Sequence, residues 1–432
     1  MTDALMSEAI GNLQSGRLDR ALEIALEVAE ADPDHLQAKA LAGAAATMLG
    51  RFETALPLFE EVADRRPDDA EARYNVGCVL KELKRFDEAV RSFEAALELQ
   101  PNYFEALHNC AGALFQARRL DAAAAFYHRA LEVRPEDASA HHDLGMALRL
   151  IGDEDGAIDA FRHAVTLRPD QAGMAGSLGA ALLRRGDGAE ALRVADDLLA
   201  LRPRSAGLLA VKAAALRQTG NIEAARRLED HGGLLRMVTP GPPPGFDDLQ
   251  AFHDAIEAHI RQHPSLMYEP SEKGTRRGFQ TRELLAEPKG PFEIFEQLIV
   301  SCLRYYFGSP PADPTHPFLK ERPDAFHLTA WATILERGGH QIPHIHPSAW
   351  LSGVYYVKVP AIVAESDPEH KGWIEFGHPL PEFGEAIQSD ITPVFPKEGT
   401  MVLFPSYLSH RTVPIDDDAE RISIAFDATP RD

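Results

Sequence analysis

The sequence predicts two folds in one chain: an all-α solenoid of stacked helix pairs, then a double-stranded β-helix (a small jelly roll) with flanking helices. Two observations predict it. A 34-residue period runs in three phases through the first 230 residues, and beyond about residue 326 short β-rich runs broken by Pro and Gly replace it.

The period is read from spacing. Pro33, Pro67, Pro101, Pro135, Pro169 and Pro203 keep the step, as do Ala21, Ala55, Ala89, Ala123, Ala157, Ala191 and Ala225. A small residue recurs at a third phase, at Ala9, Gly43, Gly77, Ala111, Gly145, Gly179 and Ala213. Small residues at fixed phases let two antiparallel helices approach closely while larger apolar residues fill the seam. A proline just past the second helix cannot continue it but suits the turn. Seven registers therefore start at residues 2, 36, 70, 104, 138, 172 and 206.

The unit AEARYNVGCVLKELKRFDEAVRSFEAALELQPNY, residues 70–103, resembles the tetratricopeptide repeat (TPR) consensus. That resemblance implies a concave face that binds an extended peptide or another protein. The sixth position of each first helix is expected to face it: Ser7, Leu41, Asn75, Asn109, Asp143, Ser177 and Val211. The polar run Asn75, Asn109, Asp143 is similar to the asparagine ladder by which TPR proteins hold peptide backbone. An Asn amide can donate to a carbonyl and accept from an N–H. A solvated helix face is the plain alternative.

Periodicity fails after residue 230. The solenoid is expected over 1–230, a Gly/Pro-rich linker (HGGLLRMVTPGPPPGF) over 231–246, and the second domain over 247–432. Helices are expected over 249–262 and 291–307. Strands are expected in FHLTAWATIL, LSGVYYVKV, GWIEFG, DITPV, TMVLFP and RISIAFDA, with shorter ones beside the histidines.

Composition narrows the function. A net charge of −22 and a pI near 5.2 repel phosphate backbones and anionic lipid, so no nucleic-acid or membrane partner is expected. Cys78, Cys110 and Cys302 are too few and too scattered for a disulfide framework and read as thiols in a reducing compartment. The N-terminus has no basic and apolar leader pattern, and no apolar run is long enough to span a bilayer, so a cytoplasmic protein is expected.

The chemistry lies in the strand-rich part. In PHIHP, His344 and His346 are two residues apart, so on an extended segment both side chains leave one face and can chelate one ion. His410 follows in VLFPSYLSHRTVP. Arg421 stands eleven residues later in ERISIAFD, where alternation sets Arg421, Ser423 and Ala425 against Ile422, Ile424 and Phe426. An arginine in an apolar strand is costly unless an anion pairs with it, and a carboxylate ligand does so best through a bidentate fork.

The segment from about 326 to 428, with HIHPSAWLSGVYYV, GWIEFGHP, GTMVLFPSYLSH and ERISIAF, resembles the 2-oxoglutarate/iron(II) oxygenase family often fused to TPRs, a relative of the prolyl hydroxylases. The resemblance implies that His344 and His410 hold iron(II). It implies that Arg421 binds the far carboxylate of 2-oxoglutarate, with Ser352 and Tyr356 at places where prolyl hydroxylases contact that group. It further implies hydroxylation of an aliphatic carbon with O2, with 2-oxoglutarate converted to succinate. Most such sites use His-x-Asp and a later His; here His346 fills the Asp position. Three readings follow: His346 is the third ligand, water or substrate completes a two-histidine site, or Glu375 reaches in. His340 reads as a polar loop residue. Trp331, Trp350 and Trp373 read either as pocket walls or as core.

A cupin has a similar His-x-His and a distal histidine near a P-x-x-G turn, here Pro396 to Gly399. The cupin glutamate is missing, since PSAWLSG follows, and Arg421 has no routine job there. The expected activity is therefore a hydroxylase whose protein or peptide substrate is recruited by the TPR groove. The alternatives are a small-molecule oxygenase with TPRs used for assembly, and a non-catalytic scaffold.

Overall fold

The computed structural model describes residues 2–270, 274–286, 288–308, 313, 315–384 and 387–431. Contacts divide the chain into two compact units, Met1–Arg168 and Pro169–Asp432. The first unit is all helix. Its helix pairs open at Thr2, Leu36, Ala70, Phe104 and Ala138, the residues at which the sequence registers begin. Within the pair Ala70–Glu82 and Phe86–Leu99, the Asp69 carboxylate caps the first helix by accepting from the Ala72 amide at 3.1 Å. Two registers on, Asp137 does the same for Ala140 at 2.8 Å.

The alanine phase is the seam of the solenoid. Ala21, Ala55, Ala89, Ala123 and Ala157 have no exposed surface, and neither do Ala191 and Ala225 in the second unit. Opposite them the third phase must be small. A Cβ on Gly77 would lie 2.6 Å from the Phe93 ring, which is itself fully buried. Filling that space forces the ring off its place, an overpacking that typically costs about 1–3 kcal/mol.

The second unit opens with two more pairs, Ala172–Arg185 with Gly188–Leu199, and Ala206–Gln218 with Ile222–Glu229. Among the described residues ten strands follow: β1 (Arg236–Val238), β2 (Met267–Tyr268), β3 (Thr275–Gln280), β4 (Phe326–Gln341), β5 (Leu351–Lys358), β6 (Ile374–Phe376), β7 (Thr392–Val394), β8 (Met401–Pro405), β9 (His410–Thr412) and β10 (Arg421–Pro430). They form a seven-stranded sheet in the order β1-β8-β5-β10-β4-β3-β2 and a three-stranded sheet β7-β6-β9. Every pairing is antiparallel. Where a double-stranded β-helix is expected, the described residues form two antiparallel sheets of mostly short strands. Phe376 of β6 and Phe404 of β8 bring the sheets together, their rings 4.9 Å apart.

Alternation along β10 sorts its residues as the sequence suggests. Ile422, Ile424 and Phe426 are fully buried and share one face; Arg421, Ser423, Ala425 and Asp427 share the other. Phe426 explains a glycine in LSGVYY, because a Cβ on Gly353 would meet its ring at 2.3 Å. The helices Leu249–Gln262 and Phe292–Gly308 bury Phe252, Ile256, Ile260, Phe295 and Ile299 completely. They meet the sheet at Tyr355, whose hydroxyl lies 2.9 Å from His253 Nε2 and whose ring lies 5.4 Å from that of Phe295.

The Gly/Pro-rich stretch read as a linker carries structure of its own, since β1 pairs with β8 across Arg236↔Leu403 to Val238↔Met401. The last repeat is tied to the strands by polar contacts. The Tyr407 hydroxyl donates to the Leu228 carbonyl at 2.6 Å, and Arg217 donates to Asp390 at 3.0 Å and to the Gln388 carbonyl at 3.3 Å. Among the described residues, no helix is long and apolar enough to cross a membrane.

Candidate metal centre

The segment after β4 runs alongside β9 and the turn before it. His344 and His410 exchange both backbone hydrogen bonds at 3.0 Å, and the His346 amide donates to the Ser406 carbonyl at 3.0 Å. This extended stretch aims His344 and His346 to one side, as their spacing predicts, and delivers them to His410. The three imidazoles offer ligand nitrogens all within 4.8 Å of one another. Ring centroids lie 4.3 Å apart for His344 and His410, 5.1 Å for His346 and His410, and 5.3 Å for His344 and His346.

The second nitrogen of each ring is already engaged. Nδ1 of His344 faces the Ile342 carbonyl at 2.8 Å and Nδ1 of His410 the Leu408 carbonyl at 3.0 Å. Nδ1 of His346 faces Asp427 Oδ1 at 2.6 Å. Carbonyl and carboxylate oxygens only accept, so the network assigns the proton to Nδ1 and leaves the Nε2 lone pairs to converge. Burial, followed by the neighbouring His346, pushes the His344 pKa down to about 4. Burial and then His344 and His346 hold His410 well below the ordinary histidine value. Both rings are therefore neutral at neutral pH and open to a cation. Three imidazoles, each with its second nitrogen braced, suit a divalent first-row metal such as iron(II).

Arg421 is the second feature. It is 2% exposed, Nη1 donates to the Gly372 carbonyl at 2.6 Å, and Nη2 donates to Thr412 Oγ1 at 3.1 Å. Its Nε has no partner, and among the described residues no carboxylate pairs with the guanidinium. Burial lowers its pKa, and the Tyr356 ring lies 5.7 Å from the guanidinium carbon. Burial in turn raises the Tyr356 hydroxyl to about 12. Thr412 stands two residues after His410 on β9, on the same face and about 7 Å along the strand, and the guanidinium bonds to it there.

The structure separates Ser352 from Tyr356. Tyr356 pairs with Ser423 near the arginine, whereas Ser352 pairs with Asp427 at the histidine end. The Ser352 hydroxyl is taken there, 2.6 Å from Asp427 Oδ1 and 2.8 Å from Ser406 Oγ. Glu375 points away from the histidines. It accepts from Arg411 at 2.8 and 2.9 Å and contacts His378 at 2.7 Å, while its neighbour Phe376 is the residue paired with His410. His340 contacts the Gly338 carbonyl at 3.0 Å. Of the tryptophans, Trp331 stands at the site, 5.5 Å from the His346 ring. Trp350 stacks on Phe318 at 3.8 Å, and Trp373 packs with Val363 and Ile415; both are core.

Sequence reasoning missed Asp427, Thr412 and Thr333. The Thr333 hydroxyl is buried without a partner opposite Ser423. The alternation that exposed Arg421 also puts Asp427 on the same face, and only strand pairing shows what it meets.

In the first unit, Asn75 lines a groove of about 490 Å³ with Met6, Ile10, Leu41 and Met48. Asn109 is held from both ends: Lys81 donates to its Oδ1 at 2.6 Å, and its Nδ2 donates to the Tyr74 hydroxyl at 3.1 Å. Asp143 lies 3.1 Å from His108 Nε2 and 3.6 Å from His142 Nδ1. Burial pushes its pKa up, but the hydrogen bonds to His108 and His142 outweigh that and lower it.

Comparison with known proteins agrees with this layout. A family described as "Putative 2OG-Fe(II) oxygenase" matches residues 329–427, and TPR families match 7–70, 49–104, 80–148 and 138–171. No curated protein matches. Among solved structures, a crystal structure of MamA protein is 20% identical over 40% of this chain and 94% of its own, with a TM-score of 0.37. MamA 41-end from Desulfovibrio magneticus RS-1 is 25% identical over 39% of this chain and 96% of its own, again at 0.37. Likenesses of that size carry no argument about function. The chain is a fusion of tetratricopeptide repeats with a domain that matches the 2-oxoglutarate/iron(II) oxygenase family.

Proposed function

We propose that the second unit is a 2-oxoglutarate- and iron(II)-dependent hydroxylase whose protein or peptide substrate is recruited by the repeats. One observation carries the reading: three braced histidines converge, and a buried arginine with an orphaned Nε is bonded to Thr412, two residues after His410 on β9. His344, His346 and His410 would hold iron(II), which when bound supplies the activation of O2 coupled to 2-oxoglutarate decarboxylation.

The chain's own residues do the rest. Arg421 offers its free Nε–H to the far carboxylate of 2-oxoglutarate, in a buried place where a charge-assisted bond is strong. Thr412 and the Gly372 carbonyl hold the guanidinium still, and the unpartnered Thr333 hydroxyl offers a second donor on the β4 side. The Tyr356 ring stands beside the guanidinium, and its hydroxyl, raised by burial, stays protonated as a donor. Trp331 walls the histidine end and helps to exclude water. Asn75 and the groove around it would receive the target chain, with Asn109 and Asp143 beyond it. Linking a weak groove to a weak active site raises the local concentration of the target.

Purified protein incubated with iron(II), ascorbate and 2-oxoglutarate should form succinate. Host lysate should stimulate it. No succinate from iron-loaded, folded protein under either condition overturns the proposal.

A further inference from the structure

We infer that Asp427 is a positioning residue for the metal, supplying through His346 the negative charge that other sites of this kind supply by a directly bound carboxylate. The inference rests on the iron reading above.

His346 stands apart from its two companions. His344 and His410 lean on neutral backbone carbonyls at 2.8 and 3.0 Å, whereas His346 leans on a carboxylate at 2.6 Å. Asp427 is itself held. Its Oδ1 also accepts from the Ser352 hydroxyl at 2.6 Å, and Ser352 meets Ser406 Oγ at 2.8 Å. The Ser406 carbonyl accepts the His346 amide at 3.0 Å, which closes a ring of four residues around one imidazole. Asp427 owes its place to β10, which pairs it with Ser352 of β5 and Thr329 of β4. The side chains of His346 and Asp427 are only 8% and 18% exposed, so water screens the pair little.

The chemical consequence follows from the chain's departure from His-x-Asp. Three imidazole ligands leave a divalent ion with no carboxylate bound to it directly. A carboxylate on the far nitrogen of one imidazole polarises the ring, makes Nε2 a better donor and fixes its direction. The charge is thereby moved one ring outward from the metal. Asp427 never touches the metal or the substrate in this account, and it acts only through His346.

Cobalt(II), used as the probe on the full chain, tests this by equilibrium dialysis. Asp427→Asn keeps the shape and loses the charge, and should weaken cobalt(II) binding by roughly 10–100-fold, the range for lost outer partners. Asp427→Glu should recover part of the loss. The same Asp427→Asn change in a His346→Asp background should not weaken binding, because a carboxylate then reaches the metal directly. An effect of Asp427→Asn within threefold of wild type overturns the inference. So does an equal weakening in the His346→Asp background, which would mark a role in folding alone. If the His346→Asp chain holds no cobalt, the visible band of cobalt-saturated Asp427→Asn decides: a shifted band supports the coupling, an unshifted one refutes it. His344→Ala is the control for the underlying reading. If it binds cobalt as wild type does, the metal site is wrong; if it loses cobalt while Asp427→Asn does not, only the role of Asp427 falls.

Discussion

His344 and His410 form an antiparallel bridge, exchanging two backbone hydrogen bonds of 3.0 Å while their rings meet at 4.3 Å. Sixty-six residues separate them in the chain, yet main-chain bonds rather than the side chains set their spacing. Either side chain can therefore be removed without taking the bridge away. His344→Ala and His410→Ala should stay folded by circular dichroism and retain almost no iron, against about one iron per wild-type chain by elemental analysis. His346→Ala should bind more weakly but still measurably. Full iron content in His344→Ala would move the site elsewhere.

Arg421→Met tests the co-substrate end. Hydrogen bonds to charged groups contribute about 1.5–3 kcal/mol, so the apparent KM for 2-oxoglutarate should rise roughly 10–100-fold. The chain without ligand should lose little stability and could gain some, because a buried charge without a carboxylate partner is removed. A KM within twofold of wild type, read from succinate formation, removes Arg421 from the 2-oxoglutarate site.

What the sequence disclosed and what it hid divide along physical lines. Repeat boundaries were legible because a 34-residue period is a covalent fact, and the helices open at the predicted residues. The histidine pair was legible because a period of two fixes which side chains share a face. Asp427 and Thr412 were not, since their roles arise from contacts with His346 and Arg421 made only once strands pair. Ser352 shows the limit of face reasoning. It shares β5 with Tyr356, but alternation says nothing of position along the neighbouring strand, and the register sets the two opposite different ends of β10. β1 and β3 escaped notice because RMV is too short to alternate and TRRGFQ reads as a charged loop.

The Asp390 cluster makes a prediction about acid stability. Hydrogen bonds from Arg226 and Arg217 hold the Asp390 carboxyl far below its ordinary value. A depressed carboxylate pKa gives stability that is present above the ordinary value near 3.8 and lost as pH falls below it toward the folded one. Asp390→Asn should lower Tm at pH 7, and the gap to wild type should narrow as pH falls below about 4. Because Asp390 is half exposed, the shift should be a few degrees at most. A gap that widens on acidification contradicts the assignment.

Truncation probes where the second unit begins. A chain starting at residue 240 lacks β1, which leaves β8 an unpaired edge. It also lacks the Leu228 and Leu234 carbonyls that accept from the Tyr407 and Tyr306 hydroxyls at 2.6 and 2.9 Å, both hydroxyls being buried. That fragment should aggregate or melt broadly. A chain over 169–432 should melt cooperatively and still convert 2-oxoglutarate to succinate. Equal melting of the two fragments would show the last two repeats to be dispensable for the strands.

The groove in the first unit sets the last test. Asn75 lines it with its amide unclaimed by any hydrogen bond among the described residues, whereas Asn109 is fixed by Lys81 and Tyr74 and Asp143 is held between His108 and His142. The three positions are therefore unequal. Asn75 is free to take a peptide backbone, while Asn109 would have to give up existing bonds first, which costs a net 0.5–1.5 kcal/mol or so for each. Asn75→Arg, which fills the groove, should raise the KM of a protein substrate severalfold or more and leave kcat nearly unchanged, since the reacting groups are untouched. Uncoupled succinate formation from 2-oxoglutarate alone should be unaltered. Asn109→Ala should mainly lower Tm, because it leaves the partly buried Lys81 without that acceptor. A small-molecule oxygenase would show no such split. If Asn75→Arg turns over lysate protein with the wild-type KM, the groove does not recruit the substrate.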